Sequence, residues 1–496
     1  MADARAGLTA PPTGTGARIP AQRGGTPGGV APPAAGVARA TALSMVALVA
    51  VGLTRLVHGS LVSHATDRAT YGLVGSLLAT VVVASLVLPG GASSAMAKFV
   101  AFHRGAGDVA AARAAHRFLT RLSVASAALL ALGAALIAAR LYHLGWADTG
   151  AVGLLTVAYS LYTVDKAALY GFGRVAGYAR LEIATSVLAI GATVLVVVLG
   201  WHGYLLPLAL GYGLFVLGAR ALLHGTVRGE RADRYRRGEI LGYTALASIG
   251  TLAGAGFLQG TQLLAYWLVA PAQAAWFAAA VALVAPAYFL PRALGLALFP
   301  AMARAHGAGD TGAIRRQADL STRALAVLLA PVFAVAQFLA PQVLVFFGGP
   351  GYAPGATVLR LMLATTYLGV VQVPAINALA SGTRRAAWIP AVAATSGCLI
   401  GLATVAVLGP RLAATGVALG YLVGSAVTAG VPVALVWRAH GMRWAGPLTR
   451  PVGLVAGACA VGMLVPAGPA DWAAAGGALL VALAVLHRDL CRLRRG

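Results

Sequence analysis

Negative charge is what this chain has least of. Its 496 residues include 13 Asp and Glu against 37 Lys and Arg, and only 10% are charged at all. Lysine is nearly absent as well, being confined to Lys98 and Lys166, so the basic load is Arg. Three cysteines, Cys398, Cys459 and Cys491, are too few and too scattered for a metal centre or a disulfide framework. There is no GxxxxGK[ST] phosphate loop and no GxSxG nucleophile turn, and the histidines lack metal-ligand spacing. No basic patch interleaved with aromatics, of the kind that binds nucleic acid, stands out. These absences argue against an enzyme, a bound metal or cofactor, and a nucleic-acid partner.

What is present is apolar. The chain is 59% hydrophobic with a mean hydropathy of +0.82, values that belong to multi-spanning membrane proteins. A helix needs about 20 apolar residues to cross a bilayer, and about fourteen such stretches can be counted. The expected fold is an all-α integral membrane protein. Residues 1–37, rich in Pro, Gly, Ala and Thr and without a signal-peptide pattern, read as a disordered cytoplasmic tail.

Arginine sets the orientation. Taking the N-terminus as inside, the inner loops carry Arg113, Arg117 and Arg121, five arginines between 228 and 237, and the basic tail 488–496. The other side has Arg55, Arg68, Arg140 and Arg411. This split places both termini in the cytoplasm of a plasma-membrane protein. Outer connections such as Trp201–Gly203 and Gly468–Asp471 leave no room for a catalytic domain.

The chain also repeats itself. Leu88–Arg121 and Leu290–Arg323 share a Leu-Pro pair, a Gly-Ala-Gly-Asp turn and a Thr-Arg end, all 202 residues apart (290 − 88 and 307 − 105). Later matches, such as Ala209–Tyr212 with Ala418–Tyr421, pair spans one to six with spans seven to twelve. Two six-helix lobes, 38–224 and 239–437, are expected about a pseudo-twofold axis along the membrane normal. A cytoplasmic linker, 225–238, joins them, and two further spans, 438–487, lie outside the repeat. Within the repeated stretch, Pro89 and Pro291 should kink their helices, Gly105 and Gly307 should end them, and Asp108 and Asp310 should cap the next. The Arg-bearing segments after these caps suit helices lying at the inner lipid surface.

Polar groups inside spans are the functional candidates. Arg292 lies about ten residues inside the eighth span, a depth at which an unpaired cation costs several kcal/mol. Arg55 and Arg360 lie toward the outer ends of the first and tenth spans. Thr251, Gln259 and Gln262 fall on one face of the seventh span with Thr244 and Ser248, so that face should meet a cavity or another helix. Asp165 and Lys166 are adjacent in the fourth span but point about 100° apart, so each should seek a partner on another helix. With Pro89 and Pro291, they are candidates for coupling or gating. Arg180 and Glu182 read as an interfacial pair. More buried cations than anions suit an anionic substrate, since Arg grips phosphate oxygens with parallel hydrogen bonds. The first and seventh spans contain no carboxylate of the kind a cation exchanger needs.

Four stretches in order resemble the polysaccharide-biosynthesis flippases of the multidrug/oligosaccharidyl-lipid/polysaccharide exporter superfamily. They are RLVHGSLVSHATDRATYGL (Arg55–Leu73), AKFVAFHRGAGD, LFPAMARAHGAGD and FFGGPGYAPGATVLRLM (Phe346–Met362). The resemblance implies two lobes around a cavity that opens to alternate sides. It also implies a polyprenyl-pyrophosphate-linked glycan as cargo, with glycosyltransferases or a polymerase of a polysaccharide pathway as partners. Fourteen spans are similar to the lipid II flippases. Arg292, Arg55 and Arg360 would then hold pyrophosphate, and Thr251, Gln259 and Gln262 would contact sugar. Two other functions compete with this one: an ion-coupled small-molecule antiporter of the same superfamily, and a non-transporting scaffold of a polysaccharide assembly complex.

Overall fold

A computed structural model describes residues 34–229, 237–289, 308–382, 384–465 and 470–495, with Leu298, Met302, Ala305, His306 and Gly468 besides. Among these residues every regular element is helical. Eleven helices are long and apolar enough to cross a membrane. One of them, α13 (Arg384–Ala439), is two crossings joined at a sharp break, where Ala413 takes φ 53° and ψ −139°. Two more crossings complete the set. They are the shorter apolar stretch Pro271–Ala287, beginning with α9 (Pro271–Val284), and α5 (Trp146–Gly171), whose tyrosines, Asp165 and Lys166 lower its hydropathy. The eleven, the split helix and these two make the fourteen expected.

The first lobe comprises α1 (Ala34–Ala65), α2 (Arg68–Val87), α3 (Pro89–Gly105), α4 (Val109–Tyr142), α5, α6 (Val175–Val198) and α7 (Leu206–Val227). The second holds α8 (Arg237–Leu268), α9, α10 (Thr311–Gly348), α11 (Ala356–Val371), α12 (Val373–Ala380) and α13. The helices outside the repeat, α14 (Ala445–Leu464) and α15 (Ala470–Arg495), both pack along α10. As expected, Pro89 breaks the second span: α2 ends at Val87 and α3 starts at Pro89, which has no N–H to continue the ladder.

The repeat is visible down to single hydrogen bonds. In the first copy Gly107 N–H donates to Arg104 O (3.1 Å) and Asp108 N–H to His103 O (2.9 Å). In the second, Gly309 N–H donates to His306 O (3.0 Å) and Asp310 N–H to Ala305 O (2.9 Å). Asp108 and Asp310 then accept from Ala111 and Ala313 N–H, each at 2.8 Å, capping α4 and α10. The residue in left-handed geometry is Gly107 (φ 78°) in one turn and Gly309 (φ 71°) in the other. Helix α3 ends at Gly105, as expected, and the reversal follows two residues on, at Gly107. Gly307, the counterpart of Gly105, lies outside the described residues. Nor do the Arg-bearing segments beyond the two turns form separate surface helices, as their composition led us to expect. They are the first turns of α4 and α10, continuous helices of 34 and 38 residues.

Arg113 and Arg315, also 202 apart (315 − 113), take up matching roles. Arg113 Nε donates to Thr226 O (2.9 Å) at the end of α7, and Arg315 Nη2 to Gly441 O (3.3 Å) just beyond α13. Each lobe thus ties its third crossing to the end of its sixth, supplying a cation where helix carbonyls lack partners. Replacing Asp108 or Asp310 by Ala should cost about 1 kcal/mol each. Thermal melting of the detergent-solubilised protein should show two similar, additive losses, because the sites lie in different lobes.

The lobes meet along α2 and α3 on one side and α8 and α9 on the other. Small residues permit the approach: a β-carbon on Gly72 would sit 2.6 Å from Pro271 O, and one on Gly91 would collide with Thr244 O and Ser248 Oγ. At the Arg-poor face the contact becomes polar and aromatic. Ser60 and Ser63 both donate to Phe347 O at 2.8 Å, and Arg68 Nη1 donates to Gly351 O at 3.2 Å, an oxygen that Trp276 Nε1 holds within the second lobe at the same distance. Tyr71 of the first lobe stands edge-on to Phe347 and Tyr352, with ring centroids 6.0 and 5.9 Å away. This face is shut.

Candidate functional site

Arg55 lies well inside its helix, not near the outer end of its span as expected. Helix α1 runs on to Ala65, ten residues further, which at 1.5 Å per residue is about 15 Å. Polar residues that read as the end of the span are held within the helix. His58 Nδ1 meets Thr193 Oγ1 of α6 (3.0 Å), and Ser60 and Ser63 find Phe347 O.

Two helices, α5 and α7, bring tyrosines to Arg55, and α6 packs beside them. On α5 the spacing Tyr159, Tyr162, Lys166 (three, then four) puts all three on one face. Tyr212 and Phe215 do the same on α7, and Tyr178 and Glu182 on α6. Arg55 Nε donates to Tyr212 Oη (3.0 Å), and its guanidinium carbon lies 4.9 Å from the Tyr159 ring centre and 5.9 Å from that of Tyr212. The rings lean on one another, Tyr162 to Tyr212 at 4.7 Å and Tyr162 to Phe215 at 4.8 Å. A cation over such faces gains attraction while keeping its charge unneutralised.

A proton-bearing chain adjoins it. Lys166 Nζ donates to Tyr162 Oη (3.2 Å), and the Tyr162 hydroxyl donates to both oxygens of Glu182, at 3.0 and 3.1 Å. Glu182 is 2% exposed. The cluster therefore carries Arg55 and Lys166 against one carboxylate, which leaves it cationic. The expected Arg180–Glu182 pair does not form: Arg180 is exposed, because two residues along a helix turn the side chain by about 200°. Only a residue from another helix could satisfy Glu182, and its polar character at helical spacing from Tyr178 was the available signal.

Asp165 and Lys166 part company, as their directions require. Lys166 turns to Tyr162, whereas Asp165 takes Arg220 Nε of α7 at 3.0 Å. The other candidates lie elsewhere. Arg360 donates through Nε to Gln337 O of α10 (2.9 Å) beside Gly462 of α14, inside the second lobe's packing. Thr251 donates to Ser248 O (3.0 Å) and reaches Leu86 O of α2 at 3.4 Å, and the buried Gln262 lies against Gly75. Of the two surroundings expected for that face, these residues have the helix. Gln259 is half-buried. Pro291 and Arg292 lie outside the described residues, and no group of His, Cys, Asp and Glu that could hold a metal occurs among the described ones.

No protein-family model and no curated protein matches the chain. Solved structures do. An inward-facing multidrug resistance MATE family transporter of the MOP superfamily matches with a TM-score of 0.62 at 16% identity, over 78% of this chain and 94% of that one. The lipid II flippase MurJ, in an inward closed conformation, matches with a TM-score of 0.58 at 11% identity, over 90% and 99%. A Pyrococcus furiosus MOP superfamily transporter, described as having a binding pocket of reversed polarity, matches at 0.59 and 17%, over 82% and 95%. At these identities the likeness establishes the fold, an all-helical two-lobed membrane architecture found in MATE transporters and in MurJ.

Proposed function

We propose that this protein is a plasma-membrane secondary transporter that moves polyprenyl-pyrophosphate-linked oligosaccharide from the inner to the outer leaflet by alternating access. Both termini would lie in the cytoplasm, so the shut Arg-poor face would be the outer one. The observation that carries this reading is Arg55, held near mid-span by tyrosine faces in a cluster with more cations than anions. Such a group is suited to a phosphate oxygen, and its tyrosine surround can also stack on sugar rings. Arg292 is the second proposed anion contact, from its place in the eighth span. Glycosyltransferases or a polymerase acting before or after the flip would be its functional partners.

Replacing Arg55 by Ala should reduce export of the host's envelope polysaccharide at least about tenfold, the cost of one charge-assisted contact. The variant should reach the membrane in normal amount. Arg55→Lys should recover export only in part, because a point charge cannot span two oxygens. Unchanged export in Arg55→Ala removes Arg55 from the path, and unchanged export in Arg292→Ala does the same for that residue.

One observation favours a second reading, an ion-coupled antiporter. Glu182 is a buried carboxylate linked through Tyr162 to Lys166, a group that could take up and release a proton. Proton- or sodium-driven efflux of a cationic dye by the purified protein in vesicles, lost in Glu182→Gln, would favour it over the flippase.

A further inference from the structure

We infer that α14 and α15 form a binding site for the headgroup of an anionic phospholipid in the leaflet on the Arg-rich side. The two helices each pack closely along α10 but touch one another little. Between their ends at the Arg-rich face lies an open cleft of about 510 Å³. Arg450, from the second turn of α14, and His487 and Arg488, near the end of α15, line its polar part. Leu483, Ala484 and Val485 continue the wall toward the bilayer core. Basic groups at the depth of the lipid phosphates, with an aliphatic wall directly below, fit one kind of ligand: a phosphodiester that carries acyl chains. A soluble anion would have no use for the wall, and a neutral lipid none for the arginines.

Arg450 is already oriented. Its Nη1 donates to Asp489 Oδ2 at 3.3 Å, where the Asp489 side chain is 4% exposed and that of Arg450 47%. The carboxylate fixes the stem while the exposed part of the guanidinium fork faces the cleft, which suits two-point recognition of phosphate oxygens. Arg488, one residue before Asp489, adds a second cation from the same helix end. A headgroup seated here would add a bridge beside the Arg450–Asp489 pair between two helices that touch little.

The test uses the full-length protein, delipidated in detergent and offered phosphatidylglycerol or phosphatidylcholine, with retained lipid counted by native mass spectrometry. The wild type should retain phosphatidylglycerol preferentially. Preference should fall about fivefold for each basic group removed, in Arg488→Gln and then in His487→Gln/Arg488→Gln. Neither change touches the Arg450–Asp489 pair, so lipid-free melting should be unaltered. Arg450→Lys, which keeps a cation beside Asp489, should weaken retention without unfolding. Equal retention of the two lipids, or wild-type preference in the double variant, overturns the inference. Displacement of the lipid by millimolar inorganic phosphate also overturns it, by assigning the cleft to free phosphate.

Discussion

Replacing Arg220 by Ala is expected to be among the most destabilising single changes in the first lobe. It would leave the Asp165 carboxylate, 2% exposed, without its counterion 3.0 Å away. Breaking a buried pair by removing one partner costs about 3–5 kcal/mol, and the 43% exposure of Arg220 puts this case at the lower end. The cost comes from the stranded charge, so Asp165→Asn in the same background should recover most of it. Thermal melting of the two single variants and the double variant closes the cycle. If Arg220→Ala melts like the wild type, Asp165 is already neutral and the pair is not an ionic one.

Gly91→Val is the second large effect. Helix α3 approaches α8 so closely at Gly91 that any β-carbon meets the Thr244 carbonyl oxygen, a backbone atom that cannot rotate away. Overpacking a tight interior costs typically about 1–3 kcal/mol, and here the strain falls on the contact between lobes. Gly91→Val should therefore lower the melting temperature and stop transport together, whereas Gly105→Val, with open space around its α-carbon, should do neither. A variant that transports normally would mean that the lobes need no close contact at this level.

Long apolar runs, the repeat and its capping aspartates could all be read from the sequence, because each is a local or periodic signal. Most spans follow from hydropathy, α5 and the short Pro271–Ala287 being the exceptions, and Asp108 and Asp310 follow from their place after a Gly-Ala-Gly turn. The candidate site was less legible. Arg55 could be singled out but not its depth, because the polar His58, Ser60 and Ser63 read as the end of the span until their partners on α6 and near the end of α10 are known. Glu182 was assigned to its neighbour in sequence, while its partner, Tyr162, lies 20 residues away on another helix. The polar face of α8 was visible as a face. What it met depended on Gly75, Gly90 and Gly91, whose missing side chains leave no trace in a hydropathy profile.

The contacts that shut the Arg-poor face fall into two kinds with different thermal behaviour. Ser60, Ser63 and Arg68 donate to carbonyl oxygens of the other lobe that water can serve nearly as well, so separating them changes enthalpy little. Tyr71, Phe347 and Tyr352 are each at most 5% exposed, and parting them wets apolar ring surface. Hydration of such surface raises heat capacity. Opening of this face should therefore carry a positive heat-capacity change, and its equilibrium constant should give a curved rather than straight van't Hoff plot. Substituting Tyr71 with a small residue should flatten that curve, while Ser63→Ala should leave its curvature alone.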